Sequence, residues 1–275
     1  MRRNLSWIAV AVAVFGMALV PIVGSAGVAA GAGATHPRQI IPLYDGGNAS
    51  DWAQTCSHAV GSGDGSLIIA DVANGEGAGN ARVASWASVI KNCLRYGKAS
   101  VIGYVWTNYG QQSLATVEAG IDNWYRFYPG DIGGIFLDGS WDTIPGTTTS
   151  NAPYYQALAS YIHTHHHNGE VVLNFGANPA SGWMFSSTAK KNADLVVTFE
   201  GAYNDPSMSP YTAWVQPAWE LHYPAADFAA IVYDAPNTAA TPQPSSACAG
   251  LLRQHVGYVY VGTWYDQMPY MSGVC

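Results

Sequence analysis

From residue 39 onward, short runs rich in β-branched and aromatic residues alternate with longer helix-like segments, and this alternation constrains the fold more than any other feature. Eight runs read as strands: Gln39 to Tyr44, Ser66 to Asp71, Ser100 to Trp106, Gly133 to Asp138, Glu170 to Asn174, Leu195 to Glu200, Phe228 to Asp234 and Gly257 to Thr263. Helices are expected between them, near Trp52 to Val60, Val83 to Tyr96, Leu114 to Tyr128, Pro153 to His166, Met184 to Asn192, Tyr211 to Pro217 and Ser246 to Gln254. Such alternation implies parallel strands joined by helical crossovers. The stretches Gly134 to Leu137 and Leu195 to Phe199 are apolar without interruption, as strands buried on both faces must be. Eight strands then predict a closed (β/α)8 TIM barrel, one domain over residues 35–275. One helix is especially clear: Leu114, Val117, Ile121, Trp124 and Tyr125 make a single apolar stripe, and Ser113 is placed to cap its N-terminus.

Ahead of the barrel, Met1-Arg2-Arg3 is followed by an apolar stretch from Ile8 to Val23 and then by small residues. That order is the order of a secretory signal. Gly16 and Pro21 interrupt the stretch, so residues 1–34 are expected to be removed, with cleavage near 26–34, leaving a secreted, extracellular chain without a membrane anchor. Four cysteines, an even number, suit an oxidising compartment. Three pairings exist; nearness in the chain favours Cys56 with Cys93 and Cys248 with Cys275. With 11 Lys+Arg against 18 Asp+Glu, a net charge of −7, the chain offers no basic field for a nucleic-acid backbone. Few charges, 11% of residues, beside 17 tyrosines and 10 tryptophans describe a surface better suited to sugars than to phosphates.

In a (β/α)8 barrel, catalytic groups sit where strands end and βα loops begin. The residues closing the runs are Tyr44-Asp45, Asp71, Trp106 to Tyr109, Asp138, Asn174, Glu200, Tyr233-Asp234 and Thr263-Trp264-Tyr265. Carboxylates and amides bond sugar hydroxyls while aromatic rings stack on sugar faces. Asp138 and Glu200 each follow a buried strand directly, and glycoside hydrolysis commonly needs two carboxyls. They are the expected catalytic pair. Lying two strands apart, they must bridge about 10 Å, which leaves retention and inversion both open. Tyr44, Asp45, Asp71, Tyr104, Trp106, Tyr109, Asn174, Tyr233 and Trp264 are the expected substrate-binding residues, although Asp45, Asp71 and Asp234 could equally serve as turn or cap residues. The cluster His163, His165, His166 and His167 ends a helix before Asn168-Gly169, on the opposite face, and is expected to have a structural or adventitious-metal role and not a catalytic one. No metal or cofactor is expected: no Cys/His zinc spacing is present, and the Gly-rich segments lack a Walker lysine.

Several stretches in combination resemble the spherulation-specific (spherulin four-like) family: Ile41 to Tyr44, Ile102 to Gly110, Val117 to Trp124, Gly134 to Asp138, Val171 to Asn174 and Phe199-Glu200. The resemblance covers about residues 40 to 235. It implies a secreted barrel hydrolase that cuts α-1,4-linked galactosamine-containing microbial polysaccharide, with Asp138 and Glu200 matching the family's acidic positions. The chain departs from the pattern at Gly139, where hydrolases of this kind look to have a second acid, and after strand 2, where Asp71-Val72-Ala73 stands in place of an Asn-Pro ending. Three readings stay open: Asp138 and Glu200 suffice, Asp142 reaches back as a surrogate acid, or the barrel binds glycan without cutting it.

Overall fold

A computed structural model describes residues 38–44, 47–61, 65–72, 81–95, 99–167, 169–185, 192–205, 210–235 and 254–262. The leader, the proposed Cys248–Cys275 bridge, Asp45 and Trp264 lie outside the described residues. The strands are β1 (Arg38–Leu43), β2 (Leu67–Ala70), β3 (Ser100–Trp106), β4 (Gly134–Asp138), β5 (Glu170–Asn174), β6 (Leu195–Ala202), β7 (Phe228–Tyr233) and β8 (Tyr258–Val261). Each pairs in parallel with the next, and β8 returns to β1, closing an eight-stranded barrel. The expected (β/α)8 fold is the observed one.

Four α-helices are present among the described residues: α1 (Ala49–Gly61), α2 (Ala84–Arg95), α3 (Leu114–Phe127) and α4 (Ala152–His165). Ser113 caps α3 as the sequence predicts, its hydroxyl accepting from the Thr116 amide. The buried stripe of α3 includes Val117, Ile121 and Trp124, while Leu114 is exposed. Trp124 lies directly against β3: a Cβ added to Gly103 would stand 2.4 Å from the indole, whose Nε1 donates to the Tyr104 carbonyl at 2.8 Å. A strand residue without a side chain lets the indole reach the backbone. Cys56 of α1 and Cys93 of α2 form the expected disulfide.

Of the helix expected after β5, residues 186–191 lie outside the described residues, and the helix expected after β6 is not formed. The described residues there form 3₁₀ turns at Trp183–Phe185, Tyr211–Ala213, Ala218–His222 and Ala225–Asp227. The prolines explain the second case: Pro210, Pro217 and Pro224 each precede one of these turns, so no continuous helix can run from 211 through 227. Aromatic side chains take over the covering role, with Tyr211 and Trp214 both packed on Phe199 of β6.

Strand register fixes which residues enter the barrel. Gly103 faces α3, so Tyr104 and Trp106 point the other way, into the barrel. Their partners across the register, Phe136 and Asp138, share that face, as does Val172 opposite Phe136, and hence Asn174. Strand β6 would break the pattern without an irregularity. Leu195 pairs with Val172 and Val197 with Asn174, so both point inward, and strict alternation would send Glu200 outward. A bulge between Val197 and Phe199 inserts Thr198, after which Phe199 pairs with Ala230 and Glu200 with Ile231. Glu200 thereby turns into the barrel.

Candidate active site

At the C-terminal ends of β3 to β6, one amide joins the two carboxyls of interest. Asn174 Nδ2 donates to Asp138 Oδ1 at 2.7 Å and also to Glu200 Oε2. Its orientation is set from the other side, because the Gly176 amide donates to Asn174 Oδ1 at 3.0 Å. Asp138 Oδ2 accepts from the Tyr104 hydroxyl at 2.7 Å. Tyr44 stands edge-on to Tyr104 at 6.0 Å between ring centres, and Tyr104 stacks on Phe136 at 6.2 Å. Tyr44, Tyr104, Asp138, Asn174 and Glu200 therefore form one connected cluster. Asp71, the residue after β2, stands near enough to both tyrosines that its charge raises their pKa values.

The two carboxyls are unequal. Burial, and then the negative charge of Asp138, push Glu200 up to about 7, against which the Asn174 hydrogen bond works only in part. Asp138 is also raised by burial, but Tyr104, the Gly139 amide and Asn174 all stabilise its anion. Glu200 thus keeps its proton up to about pH 7, while the donors around Asp138 oppose the upward push of burial on that carboxyl. Tyr104 stays a phenol, because burial and the Asp138 charge both raise its pKa.

The loop after β3 is strained and tied to the loop after β4. Asn108 and Tyr109 have positive φ values of 51° and 57°. Left-handed backbone at a bulky residue costs about 1–2 kcal/mol, and it persists where the surroundings enforce it. Here the Tyr109 amide donates to the Gly139 carbonyl at 2.8 Å, and the buried Thr107 hydroxyl lies 2.8 Å from both the Asp138 and Gly139 carbonyls. Gly139 has φ 63°, and a Cβ there would lie 2.4 Å from Trp106 Cζ3. The indole of Trp106 occupies the space that any side chain at 139 would need. This accounts physically for the departure seen in the sequence: an acid at 139 and Trp106 in its present place exclude one another.

Asp142 has its two oxygens engaged elsewhere. Oδ2 accepts from the Ala180 amide at 2.7 Å and Oδ1 from Trp183 Nε1 at 2.8 Å. Instead of reaching toward Asp138, as one of the three readings supposed, Asp142 fastens the loop after β5. Tyr233 ends β7 as a buried residue, and Asp234, exposed at φ 52°, is a turn residue. The histidines lie at the other end of the barrel, as expected: His163 contacts Asp194 at 3.4 Å, and His166 contacts Asp122 at 2.8 Å while stacking on Tyr125. Asp194 Oδ2 in turn accepts from the Val171 amide at the start of β5. Residues passed over in the sequence include Asn151, Tyr155 and Trp141. Only the tryptophan carried a signal, as a large ring in an otherwise polar turn.

A family model described as Spherulation-specific family 4 matches residues 38–272. The chain belongs to spherulation-specific family 4. Among relatives of this family-4 chain, Spherulin-4 of Physarum polycephalum is 28% identical over 179 residues, 65% of this chain and 49% of that protein. The chain therefore spans about half the length of this curated relative. Among solved structures, Aspergillus clavatus Sph3 in complex with GalNAc superimposes with a TM-score of 0.62 at 18% identity, covering 86% of this chain and 93% of that one. At that identity, the likeness concerns the fold of the family-4 barrel.

Proposed function

We propose that this chain is a secreted glycoside hydrolase that cuts an amino-sugar-containing microbial polysaccharide of the α-1,4-galactosaminogalactan kind. The observation that carries the reading is the Asn174 amide shared by Asp138 and Glu200. Glu200, protonated up to about pH 7, acts as the acid on the leaving oxygen, and Asp138 acts as the anionic partner. Two acceptors on one nitrogen lie no more than about 5.5 Å apart, a spacing that supports retention with Asp138 as nucleophile. The GalNAc bound to Sph3 supports the sugar class. Tyr44, Asp71, Tyr104, Trp106, Tyr109 and Tyr233 line or flank the groove in this reading.

Reducing ends released from partly deacetylated galactosaminogalactan measure the activity. Asp138→Asn and Glu200→Gln are each expected to lower it by roughly 10²- to 10⁴-fold. Wild-type activity should decline as pH rises through about 7, where Glu200 loses its proton. Absence of turnover on this and related exopolysaccharides defeats the hydrolase reading. A second reading is favoured by the indole that fills the space at Gly139: a glycan-binding barrel without turnover. Binding of the same polymers by calorimetry, with no release of reducing ends, decides for it.

A further inference from the structure

Two of the largest exposed rings among the described residues stand together beside Asp138. Tyr109 is 40% exposed and Trp141 is 41% exposed. Their centres are 6.2 Å apart and their planes lie at 88°, so the rings form an edge-to-face corner that stays partly open to a ligand. Trp106 extends the row behind them, 5.3 Å from Tyr109 and edge-on to it.

The corner is held far more firmly than exposed rings need to be. Asn151, only 2% exposed, donates from Nδ2 to the Tyr109 carbonyl at 2.9 Å and to the Trp141 carbonyl at 3.2 Å, joining the two loops through one side chain. The Trp141 amide donates to the Tyr155 hydroxyl at 3.2 Å, and that hydroxyl also contacts Thr107 and Gly139. Tyr109 moreover holds a left-handed backbone. Strain and a buried polar network are spent on rings that remain partly in water and so gain little from burial. Rigid aromatic faces kept open by a supporting layer are what a preorganised binding surface requires.

The neighbouring chemistry identifies the occupant. Trp141 is three residues beyond Asp138, and Tyr109 hydrogen-bonds to Gly139, so the corner adjoins the carboxyl and amide cluster. Carboxylates and an amide bond hydroxyl groups, and an aromatic face takes the C–H side of a pyranose. We infer that Tyr109 and Trp141 seat a pyranose ring next to the sugar held at Asp138 and Glu200, so that the site binds an oligosaccharide more tightly than a lone monosaccharide. This rests on the glycan reading above and adds to it the residues of a second subsite.

Calorimetry of the full chain with hydrolysis-resistant, thio-linked α-1,4-galactosamine oligosaccharides of one to six units tests it. Wild-type affinity should grow with length. Trp141→Ala should weaken the longer members roughly three- to tenfold, leave the monosaccharide unchanged, and be largely rescued in Trp141→Tyr, with the thermal midpoint held. Equal affinity of Trp141→Ala and wild type at every length, or an equal loss for the monosaccharide, overturns the second subsite and leaves the glycan reading standing. If the wild-type chain binds no member of the series, the glycan reading itself falls, and the subsite with it.

Discussion

Gly139 shows how one missing side chain can be a positive requirement. Two constraints meet there, a left-handed backbone and an indole within 2.4 Å of any added Cβ. Gly139→Ala should therefore lose about 1–3 kcal/mol, from backbone strain together with overpacking against Trp106. Gly139→Glu alone should be destabilised without gaining hydrolysis, because the carboxyl has no room beside Asp138. Combining it with Trp106→Ala frees that room. A thermal double-mutant cycle should then show coupling, with the double variant more stable than the sum of the singles. Strict additivity would mean that the indole and the side chain at 139 do not compete.

At the scale of elements, the bulge in β6 and the α1–α2 bridge do different work. The bulge at Thr198 turns Glu200 from the helix-facing side of the sheet to the lumen, where Asn174 meets it. Bulges next to active sites commonly redirect a side chain in this way. The Cys56–Cys93 bridge instead ties together the first two helices of the outer layer across a separation of 37 residues. A loop of that size limits the unfolded chain enough to be worth about 3–4 kcal/mol on the chain-entropy view. Cys56→Ala/Cys93→Ala should lower the denaturation midpoint accordingly, and an unchanged midpoint would show that the helices hold without it. Both cysteines are buried in the core beside the Trp52–Trp86 pair, so packing contributes as well.

Across the whole molecule, three glutamates share one electrostatic condition. Glu170 at the start of β5, Glu200 at the end of β6 and Glu220 in the 3₁₀ turn outside β6 are each pushed from 4.5 up to about 7, with burial as the first cause. For Glu170 the Asp194 charge raises the value further and Arg38 opposes it. In the unfolded chain these groups release their protons near pH 4.5, so between that value and about 7 the unfolded chain holds fewer protons than the folded one. Their contribution is complete below pH 4.5 and is lost as pH rises through about 7. The barrel should melt at a higher temperature at pH 5 than at pH 8. Glu220→Gln, which keeps an acceptor for Gln216 and lies outside the catalytic cluster, should flatten part of that slope. A melting temperature that rises with pH over this range would contradict the burial of these three groups.

Periodicity and apolar runs were enough to read the closed barrel, the strand ends and the first four helices, because burial on both faces leaves a mark at every strand position. Asp138 and Glu200 were legible as candidates because each closes a buried run. The sequence by itself also determined that β4 would deliver Asp138 to the rim, whereas after β6 it predicted a helix at Tyr211 to Pro217 where the structure has short 3₁₀ turns. Only the tertiary structure decided that Glu200 points inward, since a single inserted residue reverses the side of every residue after it and leaves no mark in the pattern. The same holds for Asn174 bridging the carboxyls, for Asp142 being committed to Ala180 and Trp183, and for Trp106 standing in the space at Gly139. These are contacts between residues far apart in the chain or on different strands, set by register and barrel closure, and local sequence patterns carry no record of them.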